Sequence, residues 1–90
     1  MIVSWRPRAS ADLVAIMEYI AAENPDAAQA LKDSIESKAA RLAENPRLFR
    51  SGRVKGTREM TAHPNYIVVY RVNALEVEVL RVKHAAQKWP

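Results

Sequence analysis

Apolar residues recur at helical spacing in the first half of the chain and at strand spacing in the second. Leu13, Ile16, Met17 and Ile20 fall at i, i+3, i+4 and i+7, the signature of an amphipathic helix, with Asp12 placed to favour the N-terminal dipole. Before it, Ile2 to Trp5 is a short strand-like run ended by Arg6-Pro7, because proline donates nothing to a ladder and keeps Arg6 extended. The helix begins either with Pro7 in its first turn or with Ser10 as its cap. Asn24-Pro25-Asp26 stops it and opens another, with Asn24 as cap and Pro25 as first residue. Along the second helix Ala28, Leu31, Ile35, Ala39 and Leu42 form one face, and the pattern ends near Asn45-Pro46. The two helices are expected to pair antiparallel, leaving a combined apolar face for the rest of the chain to cover.

Residues 47–56 read as a basic loop that holds both glycines. Thr57–Thr61, Tyr66–Val72 and Glu76–Val82 follow as β-branched or aromatic runs, separated by His63-Pro64-Asn65 and Asn73-Ala74-Leu75. Connections this short permit hairpins and not parallel crossovers, so these strands are expected to be antiparallel. Tyr66–Val72 is apolar on both faces and should be central; in the last run Val77 and Val79 alternate with Glu76 and Glu78 until Leu80 breaks the pattern. The expected fold class is α+β: an N-terminal strand, an antiparallel helical hairpin packed on an antiparallel β-sheet, and a short C-terminal extension, forming one domain over residues 1–90. Leu13, Ile16, Ile20, Leu31, Ile35, Leu42, Val68 and Val79 are its expected core.

Composition narrows the chemistry. With 49% apolar and 27% charged residues the chain has the make-up of a globular domain. It has no cysteine, which excludes disulfides, thiolate metal sites and cysteine nucleophiles. Its N-terminal charges follow a very short apolar stretch, the reverse of a signal peptide, and no apolar run approaches the ~20 residues of a membrane span. A cytoplasmic location without membrane contact is expected. Charge is unevenly spread: residues 1–45 hold five Lys/Arg against seven Asp/Glu, and residues 46–90 hold nine against three, so the halves carry −2 and +6. An anionic partner is expected at the second half.

His63 and His84 lack metal-ligand spacing, so neither a metal nor another cofactor is expected. Gly52-Arg-Val-Lys-Gly56 lacks the Lys-Ser/Thr that would make a triphosphate loop and reads as a flexible turn. The serines have neither a GxSxG elbow nor a histidine near in sequence. What remains is a basic constellation of Arg53, Lys55, Arg58, Arg71, Arg81, Lys83, His84 and Lys88, joined by Trp89 as a candidate partner-binding aromatic. Arg71 and Arg81 lie in apolar strands where a lone charge is costly, so they need an anionic partner, internally Glu59 or Glu78. Tyr66 and Tyr70 share a strand face and read as packing residues.

Gly56-Thr-Arg-Glu59, His63-Pro-Asn-Tyr-Ile-Val-Val-Tyr-Arg-Val72 and Val77-Glu-Val-Leu-Arg-Val-Lys-His-Ala-Ala86, with Trp89-Pro90, resemble the RelE/ParE superfamily of bacterial toxins from type II toxin–antitoxin operons. The resemblance covers essentially the whole chain and implies two activities. RelE-like members cut messenger RNA on the ribosome, and ParE-like members inhibit DNA gyrase without being enzymes. Nuclease members place an arginine in the central strand and a tyrosine or histidine near the C-terminus. Here Ile67 and Ala85-Ala86 stand at those places, which favours the ParE-like branch: a gyrase inhibitor with no catalytic residues, neutralised by a cognate antitoxin in a hetero-oligomeric complex. The alternative is a ribosome-dependent ribonuclease using His84, Arg81 and Arg58.

Overall fold

The computed structural model describes residues 1–87. Among them the elements run β1 (Ile2–Trp5), α1 (Pro7–Ala21), α2 (Pro25–Ala40), β2 (Arg50–Ser51), β3 (Arg58–His63), β4 (Tyr66–Val72) and β5 (Glu76–His84), with a 3₁₀ turn at Arg41–Ala43 after α2. Of its two possible starts, α1 takes the earlier: Pro7 lies in its first turn and Arg6 is extended at φ −68° and ψ 150°. Proline suits that position because its missing N–H would have no acceptor within the helix. α2 opens with Asn24 Oδ1 accepting from the Ala27 amide at 3.0 Å and Pro25 as its first residue. No helix among the described residues is long and apolar enough to cross a membrane.

The strand order β1-β5-β4-β3-β2 makes β4 central, and its bounds are those expected from its composition. The pairs β2–β3, β3–β4 and β4–β5 are antiparallel, as short connections require. β1 differs. It lies parallel to β5, with Ile2 opposite Glu76 and Trp5 opposite Val79, so the expected antiparallel sheet is corrected to a mixed one. Hairpin reasoning reaches only strands joined by short turns; β1 and β5 are joined by the rest of the chain, which supplies ample length for a crossover. β2 adds a fifth strand inside the expected loop, too short to show a periodicity. β3 and β5 extend beyond their expected ends, to His63 and His84.

Both helices contribute to a single core cluster on one face of the sheet. Leu13, Leu31, Ile35, Leu42, Val68 and Val79 are buried there as expected, whereas Ile16 and Ile20 are only half-buried at its margin. Full burial of side chains of this size stabilises by ~1.5–3 kcal/mol each. Tyr70 is also enclosed, and its hydroxyl donates to the Pro46 carbonyl at 2.8 Å, which ties the chain after α2 to the central strand.

Two irregularities shape the sheet. On β5, Arg81 faces Val69 and Val79 faces Tyr70, so Leu80 has no partner. This bulge reverses side-chain parity: Val77 and Val79 reach the core before it and Val82 after it, which accounts for the broken alternation at Leu80. On β3 the register shifts at Ala62, between Thr61 and His63. Each helix supplies a charged side chain to a backbone group near such a place. Lys38 of α2 donates to the Ala62 carbonyl at 2.7 Å. Asp12 of α1 accepts from the Val82 amide at 2.9 Å, on the part of β5 that β1 does not cover.

Asp12 also accepts from Arg81 Nε at 2.8 Å and Nη2 at 3.0 Å. It lies beyond the first turn of α1, so the expected helix-dipole role gives way to this contact, and Arg81 pairs with neither Glu59 nor Glu78. Burial alone would raise the Asp12 carboxyl, but the Arg81 hydrogen bond, the Val82 amide and the charges of Arg81 and Lys83 outweigh it and hold the group below its ordinary value. A carboxyl more acidic when folded stabilises fully above its unfolded pKa of about 3.9, and that contribution is lost as pH falls through the folded value. Asp12→Asn should therefore cost about 1–3 kcal/mol at neutral pH. In urea unfolding followed across acidic and neutral pH, its deficit against the wild type should begin to shrink below about pH 4 and close once pH has fallen past the lowered folded value.

Candidate functional site

The face of the sheet turned away from the core cluster carries Arg71, Arg81 and Lys83 of the basic constellation. Two buried carboxylates organise it. Glu78 lies opposite Arg71 and accepts from it at 2.7 Å and from Arg6 at 2.5 Å. The Arg71 hydrogen bond is the leading reason that its carboxyl is held below the ordinary range. Glu59 of β3 accepts from Arg50 at 3.1 Å and from the Arg53 amide at 2.9 Å, anchoring the connection between β2 and β3.

That connection is a hydrogen-bonded turn, in place of the flexible one its two glycines suggest. The Gly52 amide donates to the Thr57 carbonyl at 2.8 Å, and the Thr57 amide donates to the Val54 carbonyl at 3.1 Å. Gly56 has φ +84° and is the sole described residue at positive φ, so Val54–Thr57 has the form of a type II turn, with glycine where a side chain would be strained. The Thr57 hydroxyl donates to the Val54 carbonyl at 2.6 Å, and a Cβ on Gly52 would stand 2.2 Å from that oxygen. Lys55 is thereby held, exposed, at the tip. Arg58 ties down the preceding segment: its Nη1 donates to the Phe49 carbonyl at 2.7 Å and the Arg47 carbonyl at 3.2 Å. Arg47, Lys55 and Arg58 line one pocket of about 330 Å³ with Ser51, Gly52 and Gly56.

A second concavity, of about 700 Å³, lies between the helical hairpin and the far end of the sheet. Ile16, Tyr19, Ile20, Leu31 and Tyr66 give it an apolar lining, and His63 and His84 stand at it. The Tyr66 ring lies 5.7 Å from that of His63 and 5.3 Å, edge-on, from that of His84. Each imidazole Nδ1 accepts a backbone amide, His63 from Asn65 at 3.0 Å and His84 from Ala86 at 3.1 Å. An accepting Nδ1 puts the proton of the neutral ring on Nε2.

The predicted residues are thus dispersed. Arg53 donates to the Gln87 carbonyl at 3.3 Å, Lys55 and Arg58 share the small pocket, Arg71 pairs with Glu78, and Arg81 pairs with Asp12. Lys83 is buried, and Lys88 and Trp89 lie outside the described residues. Arg58 sits opposite Tyr70 and His84 opposite Tyr66, four positions apart along β4 and hence about 13 Å. Arg81 and His84 are an odd number of residues apart on a regular stretch of β5 and point to opposite faces. Arg47 is the pocket residue that sequence reasoning left out of the site. Its one signal is its place in the basic loop, which does not say that the loop folds back beside Arg58.

A sequence model described as the ParE toxin of the type II toxin–antitoxin system parDE matches residues 3–89, and the chain belongs to that family. It is 42% identical over 89 residues to a protein of Sinorhizobium fredii named as a toxin, Y4kP, covering 98% of this chain and 92% of that one. It is 38% identical over 85 residues to the toxin RelE2 of Caulobacter vibrioides, covering 94% and 96%. A structure from the chromosomal ParDE system of P. aeruginosa superposes with a TM-score of 0.84 at 26% identity over 93% of this chain and 95% of that one. YafQ from E. coli shares the fold at a TM-score of 0.68 and 13% identity, covering 93% and 92%.

The Gly52 contact yields a direct check. Gly52→Ala should destabilise by about 1–3 kcal/mol through overpacking. Combining it with Thr57→Ala, which removes the opposing hydroxyl, should recover a large part of that loss. Urea unfolding of the two single variants and the double variant measures this coupling.

Proposed function

We propose that this protein is a ParE-like toxin that inhibits DNA gyrase by protein–protein contact and is neutralised by a cognate antitoxin. The observation that carries the reading is the dispersal of Arg58, Arg81 and His84. Metal-free RNA cleavage needs an acid or base beside cations that stabilise a phosphorane. In this fold Arg58 holds the carbonyls of a loop, Arg81 is neutralised by Asp12 on the opposite face from His84, and the three do not converge. Resemblance to the ParDE structure supports the same branch.

An antitoxin partner accords with the ParDE system and with the E. coli DinJ–YafQ toxin–antitoxin complex, whose toxin has this fold. The 700 Å³ groove suits an amphipathic antitoxin segment, since Tyr19 at its rim is 82% exposed and Ile16 and Ile20 are half-covered. The +6 half would steer an acidic partner. Raising salt from 50 to 500 mM should slow association by about tenfold and change dissociation far less, because buried apolar contacts are little screened. Stopped-flow and surface-binding rates measure the two separately.

RelE-like cleavage is the second reading, favoured by one feature: His63, Tyr66 and His84 meet at the groove, with each imidazole Nδ1 held by a backbone amide. Purified protein tested in gyrase supercoiling and in mRNA cleavage on programmed ribosomes separates the readings. Supercoiling should be inhibited and no cleavage seen. Cleavage by the wild type, reduced about 10²- to 10⁴-fold in His84→Gln, would replace the gyrase reading with the nuclease.

A further inference from the structure

Four basic residues around this sheet are matched by carboxylates: Arg6 and Arg71 by Glu78, Arg50 by Glu59, and Arg81 by Asp12. The pocket at Arg47, Lys55 and Arg58 departs from that rule. No acidic residue lines it, and the side chains of Arg47 and Lys55 have no hydrogen bond or ion pair among the described residues. The three cations are mounted on independent elements: the segment after α2, the tip of the type II turn, and β3. Gathering like charges around a cavity costs energy unless an anion occupies it.

The framework is also set before any ligand arrives. Glu59 fixes the Arg53 amide, Thr57 fixes Val54, and Arg58 fixes the carbonyls of Arg47 and Phe49, so a ligand need order only two long side chains. At the tip the amides of Lys55 and Gly56 donate to no protein acceptor among the described residues. A carboxylate offers its lone pairs in one plane and is satisfied by a single guanidinium fork. Two guanidiniums, an ammonium and free amides approaching from different elements suit the tetrahedral oxygens of a phosphate better.

We infer that this pocket binds a phosphodiester of duplex DNA, so that the toxin on gyrase also grips the DNA that gyrase holds. The choice of DNA rests on the gyrase reading; the phosphate chemistry rests on the pocket.

The test uses fluorescence anisotropy of a labelled duplex of about 20 base pairs with the full-length protein, over a salt series starting near 50 mM. Wild type should bind. Arg47→Gln with Lys55→Gln should weaken binding at least about tenfold and lower the slope of log K against log salt by about 2, close to one per lost phosphate contact. Both side chains are exposed and unpaired among the described residues, so the melting temperature should not fall; Arg58 is left intact because it holds a loop. DNA binding that the double variant leaves unaltered would overturn the site. A glutamate-rich peptide that binds as tightly, with the same loss in the variant, would overturn the assignment to DNA in favour of an acidic protein segment. Supercoiling inhibition is measured on the same samples. Equal inhibition by wild type and variant with no DNA binding by either removes the pocket and keeps the gyrase reading. Salt-sensitive DNA binding without inhibition removes the gyrase reading and keeps the pocket.

Discussion

One unpaired residue, Leu80, governs which side chains of the last strand look into the core and which look away. Before the bulge the inward positions are odd-numbered, Val77 and Val79; after it they are even-numbered, Val82 and His84. A strand without the bulge would bury Arg81 and expose Val82, exchanging an apolar contact for an unpaired guanidinium in the core, a change worth several kcal/mol. With the bulge, Arg81 comes to the edge, where Asp12 receives it together with the Val82 amide. The position of α1 along the sheet edge therefore depends on this register, and so does the groove in which His84 meets Tyr66.

Charge plays two opposed roles in this molecule. Asp12 and Lys38 act as stitches, each from a different helix, to backbone groups the sheet does not pair. They also block the strand edges that would otherwise recruit another chain. Glu59 and Glu78 are likewise structural, each gathering the arginines or the amide around it. The second half has only three acidic residues, and the third, Glu76, accepts from the Ser4 hydroxyl of β1. Beside the turn, Arg58 holds the carbonyls of Arg47 and Phe49, whereas the side chains of Arg47 and Lys55 have no structural partner among the described residues.

What could be read from the sequence was what is encoded locally. Pro7 and Asn24-Pro25 mark helix starts through backbone chemistry within a few residues, and the run from Tyr66 to Val72 declares a central strand by being apolar on both faces. The parallel pairing of β1 and the Asp12–Arg81 contact join residues about seventy positions apart, and no nearby residue signals them. Leu80 was visible as a break in alternation, yet a break alone does not distinguish a bulge from the end of a strand. For the site, the basic residues were legible as a class. Their separation into ion-paired, loop-holding and unpaired members depended on where the four-residue turn and the bulge placed them.

The parallel pairing of β1 with β5 also bears on how the protein is made. Glu76 is synthesised more than seventy residues after its partner Ile2. At synthesis rates of about 5–20 residues per second, the N-terminal strand waits on the order of 4–15 s for the strand it will join. Through that interval the helical hairpin can form from local contacts, but the bulged strand that carries Arg81 and His84 has not yet been made. A sheet built this way cannot be completed until β5 has been made, so β1 goes without its partner strand while the elements between them fold.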